Sequence, residues 1–220
     1  MKFFERLFRG GQASAEEPAP KRETVVPDEL VKQFPAPPEK LQAILQKVPN
    51  TGLLLYERDM ECLHMSKEWK YWSLDMLENG FETPGIIQLA GEDLDIYPSC
   101  FDALIEDIFQ ELDLGLTEET IHYAYLLSVA QRVLLGEQTA RSAFRLLCQA
   151  YVDNGFRRGP FDNFYLWDDI ADDLERSSGD WESEGMRKDN LEEWMHQYFE
   201  KLVRANRSYC LFRTENASVF

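Results

Sequence analysis

The fold of this chain is decided by residues 117–155, TEETIHYAYLLSVAQRVLLGEQTARSAFRLLCQAYVDNG. The pattern predicts two helices that are joined at Gly136. Thr117 is suited to cap the start of the first helix and Gly136 to end it. This helix is apolar on nearly every side, and a helix without a polar face is usually buried among other helices. Its main apolar stripe comprises Tyr123, Leu126, Leu127, Ala130 and Leu134.

The second helix of this pair is amphipathic. It begins after Thr139, ends at Gly155, and places Arg141 and Arg145 on its more polar side. The residues expected to be buried are Ala143, Phe144, Leu147 and Tyr151. The pair therefore predicts a helical hairpin with one fully buried member.

Helical patterns also lie on both sides of this hairpin, at residues 38–48, 66–79, 83–90, 99–112 and 162–175, and in a last helix capped by Asp189 or Asn190. Residues 52–65 fit either a helix or a short strand followed by a helix. We see no alternating β pattern of any length. The expected fold is all-α: a single domain of about seven or eight helices in up-and-down hairpins.

The composition changes near residue 38. The pattern of residues 1–10 predicts a short amphipathic helix, and residues 11–37 are a Pro-rich stretch that predicts a flexible linker. Basic and acidic side chains balance over residues 1–37, so the net charge of −17 belongs to the chain from Pro38 onward. We expect an acidic α-helical domain at residues 38–206 and a C-terminal tail at 207–220.

This charge argues against nucleic acid as the partner, because phosphates must be neutralised by cations. The four cysteines form no CxxC pair, so neither a zinc site nor a secreted disulfide framework is expected. The three histidines have no companion ligand at metal spacing, and we expect them to be satisfied helix residues. No loop typical of nucleotide or cofactor binding occurs. We expect a cytoplasmic protein without a cofactor.

The first ten residues, MKFFERLFRG, place Phe3, Phe4, Leu7 and Phe8 on one side of a helix. Because ten residues cannot maintain a helix alone in water, something must receive these side chains. The candidates are a membrane surface, the groove of a partner, or the body of the protein itself.

The sequence Asp168-Asp169-Ile170-Ala171-Asp172 matches the DDxxD box of prenyl-diphosphate synthases and terpene cyclases. On a helix these carboxylates lie one turn apart and are able to share Mg²⁺ that bridges a diphosphate. Those families need a second acidic motif that faces the first, and none is found at convincing spacing. A diphosphate enzyme is therefore an alternative to a solvated acidic face.

The same helix belongs to an acidic stretch. Residues 162–200 contain 13 acidic and three basic side chains, interleaved with aromatic residues. Acidic side chains with aromatic anchors are suited to attract and hold a basic protein. The predicted binding residues are Asp168, Asp169, Asp172, Asp173, Tyr165, Trp167 and Trp181.

Three parts of the sequence, Trp69-Lys70-Tyr71-Trp72, residues 83–91 (TPGIIQLAG) and the helical pair at 123–151, resemble the small acidic all-helical immunity-type proteins encoded beside polymorphic toxins in bacteria. The resemblance covers roughly residues 60–205 and leaves the N-terminal segment unexplained. It implies an inhibitor that binds a basic toxin and blocks it without chemistry. The additional amphipathic segment leaves a membrane-peripheral adaptor as a further alternative.

Overall fold

The computed structural model describes residues 23–48, 50–60, 65–93, 96–178 and 181–209. Within these ranges the chain has nine α-helices and no β-strand, so the predicted all-α class is confirmed. The helices are α1 (Glu39–Lys47), α2 (Thr51–Asp59), α3 (Lys67–Glu78), α4 (Pro84–Gly91), α5 (Pro98–Leu112), α6 (Glu118–Leu134), α7 (Ala140–Asp153), α8 (Asp162–Arg176) and α9 (Leu191–Ala205).

Local signals set most helix ends. The side chains of Ser66, Thr83, Thr117 and Thr139 each accept a backbone N–H of the first turn of the helix that begins after them. Gly136 and Gly155 adopt left-handed φ angles of 74° and 65°, each two residues after the last residue of α6 or α7. In both cases the next residue donates its N–H to a carbonyl five residues earlier, which completes a Schellman motif.

Helix α6 is the centre of the domain, as its apolar character predicts. It packs against α2 on one side and α9 on another, and ten of its residues are buried. Of the ambiguous stretch 52–65, residues 52–59 belong to α2, which fits closely against α6, and residues 61–64 lie outside the described residues. A Cβ atom added to Gly52 would lie 2.4 Å from the carbonyl oxygen of Ala124 and 2.3 Å from Oγ of Ser128.

Two aromatic groups lie within a common core. In one, Trp69 packs edge-on against Trp72 and Phe101. The indole N–H of Trp72 donates to the buried hydroxyl of Thr51 at 2.9 Å, which fixes the first turn of α2. The second group joins α7, α8 and α9, and comprises Phe144, Phe164, Trp167, Trp194, Tyr198 and Phe199.

Residues 23–37, named here the strap, pack against the domain, although the sequence predicts a flexible linker as far as residue 37. Val26 is buried, and the ring of Phe34 stacks on Tyr123 with centroids 4.2 Å apart. The buried amide of Asn206 accepts the N–H of Phe34 at 2.7 Å and donates to the carbonyl of Lys32 at 2.9 Å. Only residues 11–22 of the predicted linker lie outside the described residues.

The predicted C-terminal tail is described only at its start. Arg207–Tyr209 form a short 3₁₀ turn, and the buried Tyr209 donates its hydroxyl to the carbonyl of Pro35 at 2.9 Å. The rest of the predicted tail, residues 210–220, lies outside the described residues. The described part of the tail is therefore packed together with the strap.

The close crossing of α2 and α6 gives a stability prediction. Gly52→Ala should lower the free energy of unfolding by about 3 kcal/mol, because the new methyl group meets the backbone of α6, which cannot move aside alone. Gly91→Ala is the matched control, since it is also helical and its added Cβ meets nothing within 4 Å. The control should be neutral or stabilising by about 0.5 kcal/mol. Urea unfolding followed by circular dichroism measures both, and equal midpoints for the two variants would contradict the tight crossing.

Candidate partner-binding surface

The acidic helix α8 lies antiparallel to α7. Arg141, at the start of α7, contacts the second half of α8, and Tyr151, near the end of α7, contacts Tyr165 in its first half. The start of α7 is anchored by the carboxylate of Glu192 in α9, which accepts the N–H groups of Ala140 at 2.7 Å and Arg141 at 3.2 Å. An anion at this end of a helix is favourable because unpaired N–H groups point toward it.

Arg141 is enclosed by carboxylates of α8. Its terminal nitrogens bind Asp168 and Asp172, and its Nε donates to Glu175 at 3.0 Å. The Arg141 side chain is only 12% exposed. Burial opposes its positive charge, but hydrogen bonding and charge from Asp168, followed by Glu175, raise the pKa of the guanidinium above its ordinary value.

This arrangement gives Asp168 and Asp172 a structural role inside the protein. Asp172 is also approached by Arg145 at 3.5 Å and Arg176 at 3.3 Å. Two of the three carboxylates of the DDxxD match are thus occupied by guanidinium groups where a metal would have to bind. Among the described residues, no group of side chains is arranged to hold a metal ion.

Asp169 and Asp173 point about 100° away from Asp168 and Asp172, toward the outer side of α8. Both are exposed, they are one helical turn apart, and neither forms an ion pair with a described basic residue. Tyr165 precedes Asp169 by one turn and is 43% exposed, and Leu166 beside it is 53% exposed. We name the stripe formed by Tyr165, Leu166, Asp169 and Asp173 the α8 edge.

An aromatic corner adjoins the α8 edge. Phe156, which follows α7, packs edge-on against Tyr151 with centroids 5.5 Å apart and lies 6.0 Å from Tyr165. Its own ring is 55% exposed. Phe156 adopts a left-handed φ of 59°, a conformation that costs a bulky residue on the order of 1 kcal/mol. The backbone therefore holds this ring at the surface despite local strain.

The prediction that Trp167 contacts a partner is corrected by its burial. Its side chain is 1% exposed and packs in the core against Tyr198 and Trp194. Its indole N–H donates to Glu184 at 2.6 Å. Sequence position alone could not show this, because Trp167 lies next in the chain to the exposed Leu166, and adjacent helical residues point in different directions. Trp181 is 37% exposed in the loop before α9.

The acidic surface is smaller than the number of acidic residues suggests. Asp162 pairs with Lys32 of the strap at 2.8 Å, Asp189 with Arg187 at 3.1 Å, and Glu192 binds the start of α7. The candidate surface therefore comprises the α8 edge and the aromatic corner. Phe156 and Leu166 were not predicted from the sequence. A signal for Phe156 was present but not used: it directly follows Gly155, where an apolar residue commonly packs back on the helix.

The other candidate groups are poorly suited to catalysis or ligand binding. Burial, then the charges of Asp168 and Asp169, raise the pKa of Cys148 to about 11, so its thiol stays protonated at neutral pH. An open cleft of about 470 Å³ near Phe109 contains Arg58, but Arg58 is already bound in a bidentate pair to Glu106. Phe3, Phe4, Leu7 and Phe8, the predicted docking residues, lie outside the described residues.

His122 differs from the expected satisfied helix residue. It is buried between Tyr56 and Phe161, and its Nε2 has no hydrogen-bond partner in the described part of the chain. Asp59 lies 3.6 Å from this nitrogen. Burial lowers the pKa of His122 below 6.5, although Asp59 and Glu118 oppose the shift.

No family model matches the chain, and neither the curated proteins nor the solved structures yield a match. In the described part of the chain, none of the helices combines the length and apolar character needed to cross a membrane.

The Arg141 contacts predict a strong effect of removing this side chain. Arg141→Met should lower the free energy of unfolding by about 2 kcal/mol, because Asp168, Asp172 and Glu175 then repel one another. The loss is smaller than for a fully buried ion pair, because Asp172 and Glu175 are partly exposed. Adding Asp172→Asn should recover part of the loss. Urea unfolding of the single and double variants forms a thermodynamic cycle, and purely additive effects would contradict direct coupling.

His122 predicts a pH dependence of stability. Because its folded pKa is lowered, the unfolded chain binds the proton first as the pH falls through 6.5, and stability is lost until the folded pKa is reached. His122→Phe should remove this part of the decline. Unfolding free energies measured from about pH 8 to about pH 5 provide the comparison, and parallel curves for wild type and His122→Phe would refute it.

Proposed function

We propose that the protein is a non-enzymatic binding protein whose α8 edge and aromatic corner bind a basic protein. The observation that carries this proposal is the pairing of two exposed carboxylates, Asp169 and Asp173, with the exposed side chains of Tyr165, Leu166 and Phe156. These carboxylates form no ion pair with the described basic residues, so their charge is available to a partner.

The physical roles of the two parts differ. Acidic side chains accelerate the encounter with a basic partner and determine its orientation, while aromatic and aliphatic side chains supply most of the contact energy once water is removed. The net charge of −17 adds a long-range attraction for positively charged proteins. A single stripe on α8 thus supports both the approach and the retention of the partner.

The diphosphate enzyme has less support. A metal bound by the DDxxD match would require Asp168 and Asp172 to leave Arg141, and the buried guanidinium would then keep only Glu175 of its three carboxylates. The membrane-peripheral adaptor depends on residues 1–10, and no described contact favours it. We therefore retain protein binding as the proposed function.

The resemblance to immunity-type proteins gives the partner a more specific class. The partner would be a basic toxin, and the chain would neutralise it by covering its surface. Such inhibition needs affinity and charge complementarity but no catalytic group. This agrees with an arrangement in which the exposed acidic residues adjoin aromatic side chains rather than a nucleophile.

The proposal predicts a selective loss of binding on charge reversal. Asp169→Lys combined with Asp173→Lys should weaken binding of the basic partner by about 2 kcal/mol, or roughly thirtyfold in Kd, because two attractive charges become repulsive. The partner is first captured from native lysate at low salt, then purified and titrated by calorimetry. Wild-type binding should weaken steeply with added salt.

The matched control is Asp102→Lys combined with Asp107→Lys, the same change at two exposed positions of α5. It should stay within about threefold of wild type, because it alters only the net charge. Phe156→Asn tests the aromatic corner separately, since Asn tolerates the left-handed conformation. Equal Kd values for the two charge-reversed variants would show that the α8 edge is not the binding surface.

A further inference from the structure

We propose that two copies of this chain associate through the outer face of α3, with the two α3 helices antiparallel about a twofold axis. The contact is made by four exposed side chains, Lys67, Tyr71, Leu74 and Glu78, named here the α3 stripe. It uses no residue of the α8 edge or the aromatic corner, so it does not rest on the proposed function.

The α3 stripe has the spacing of a helix-pairing surface. Its residues are separated by four, three and four positions, which places them in one row along the helix. Tyr71 is 60% exposed and Leu74 is 40% exposed, so the middle of the row is apolar and open to water. Adjacent exposed side chains of this kind favour contact with another apolar surface.

The rest of α3 holds this stripe in one orientation. Trp69, Trp72 and Met76 are buried on the opposite side of the helix. The ammonium of Lys70 donates to the carbonyl of Glu92 at 2.6 Å, directly after α4, and so ties α4 alongside α3. An ordered helix face loses little entropy when it associates.

The charges of the stripe select a second copy as its occupant. Lys67 begins the row and Glu78 ends it, and neither forms an ion pair within the described part of the chain. When two α3 helices lie antiparallel about a twofold axis at the middle of the stripe, Tyr71 of each copy faces Leu74 of the other. The same symmetry places Lys67 of each copy opposite Glu78 of the other. The stripe is therefore self-complementary, with an apolar contact and an ion pair that each form twice.

Other exposed apolar rows lack this match. The α8 edge carries only negative charge, so two copies of it would repel each other. The outer face of α4 has no charged side chain. On α7, Leu146 and Val152 are exposed, but the nearby cation, Arg145, already approaches Asp172 of α8 at 3.5 Å. Only in the α3 stripe do unpaired charges of opposite sign flank an exposed apolar centre.

The expected dimer is weak. The net charge of −17 on each copy opposes association. One flank of the stripe carries Glu68 and Asp75, which would lie near the same two residues of the other copy. A single helix pair is also smaller than a typical stable interface. We therefore expect a Kd on the order of 0.1 mM.

Exchange of charge between positions 67 and 78 tests the proposal. Self-association of the full chain is measured by sedimentation equilibrium from about 10 μM to about 1 mM, which brackets the expected Kd. Lys67→Glu alone and Glu78→Lys alone should each raise the Kd at least about tenfold, because each change places like charges opposite one another twice.

The double variant Lys67→Glu/Glu78→Lys should return to within about threefold of the wild-type Kd, because opposite charges face each other again. An equimolar mixture of the two single variants should form a mixed dimer for the same reason. Arg158→Glu is the matched control, since it changes the net charge as Lys67→Glu does but at an exposed position outside the stripe. It should stay within about threefold of wild type.

Three outcomes would overturn the proposal. A chain that is still monomeric at about 1 mM does not form this dimer. A dimer that Lys67→Glu weakens no more than Arg158→Glu does would use another face. Failure of both the double variant and the mixture to recover association would show that positions 67 and 78 do not face each other. Each outcome leaves the proposed function intact, because all the variants keep the α8 edge unchanged.

Discussion

The structure depends on the contact between α2 and α6, where Gly52 approaches the backbone of Ala124. Without a side chain at Gly52, the two helices come close enough for Leu54 and Leu55 to be buried together with residues of α6. Thr51, one residue earlier, accepts the indole N–H of Trp72 and so links this contact to α3. The position of α6 then determines where α9 can pack. The strap in turn packs against the end of α9.

The helices were largely predictable because their signals are local. Thr83, Thr117 and Thr139 cap helices that begin one residue later, and the glycines that end α6 and α7 lie where the chain must adopt a left-handed conformation. The strap was not predictable in this way. Its composition is typical of a linker, and its contacts join residues far apart in sequence: Lys32 and Asp162 are separated by 130 positions. Such contacts depend on the completed fold.

The candidate surface shows the same division. The acidic and aromatic character of residues 162–200 is visible in the sequence, but the number of charges does not show which are already neutralised. Arg141 approaches α8 from another helix and binds Asp168 and Asp172, so half of the four predicted binding aspartates became structural. Trp167 became part of the core for a related reason: helix α9 covers the side of α8 that carries it. Only tertiary contacts separate available groups from occupied ones.

The alternation of aspartates along α8 connects stability with recognition. Successive helical residues point about 100° apart, so Asp168 and Asp172 face α7 while Asp169 and Asp173 face outward. The inner pair, Asp168 and Asp172, binds α8 to Arg141, whose side chain is more than four-fifths buried. This contact leaves the helix little freedom to rotate. Its outer carboxylates are then held in one orientation beside Tyr165 and Phe156. A surface that is already ordered loses less entropy when a partner binds. Under the proposed function, the internal ion pairs would therefore favour binding at the outer edge without contacting the partner themselves.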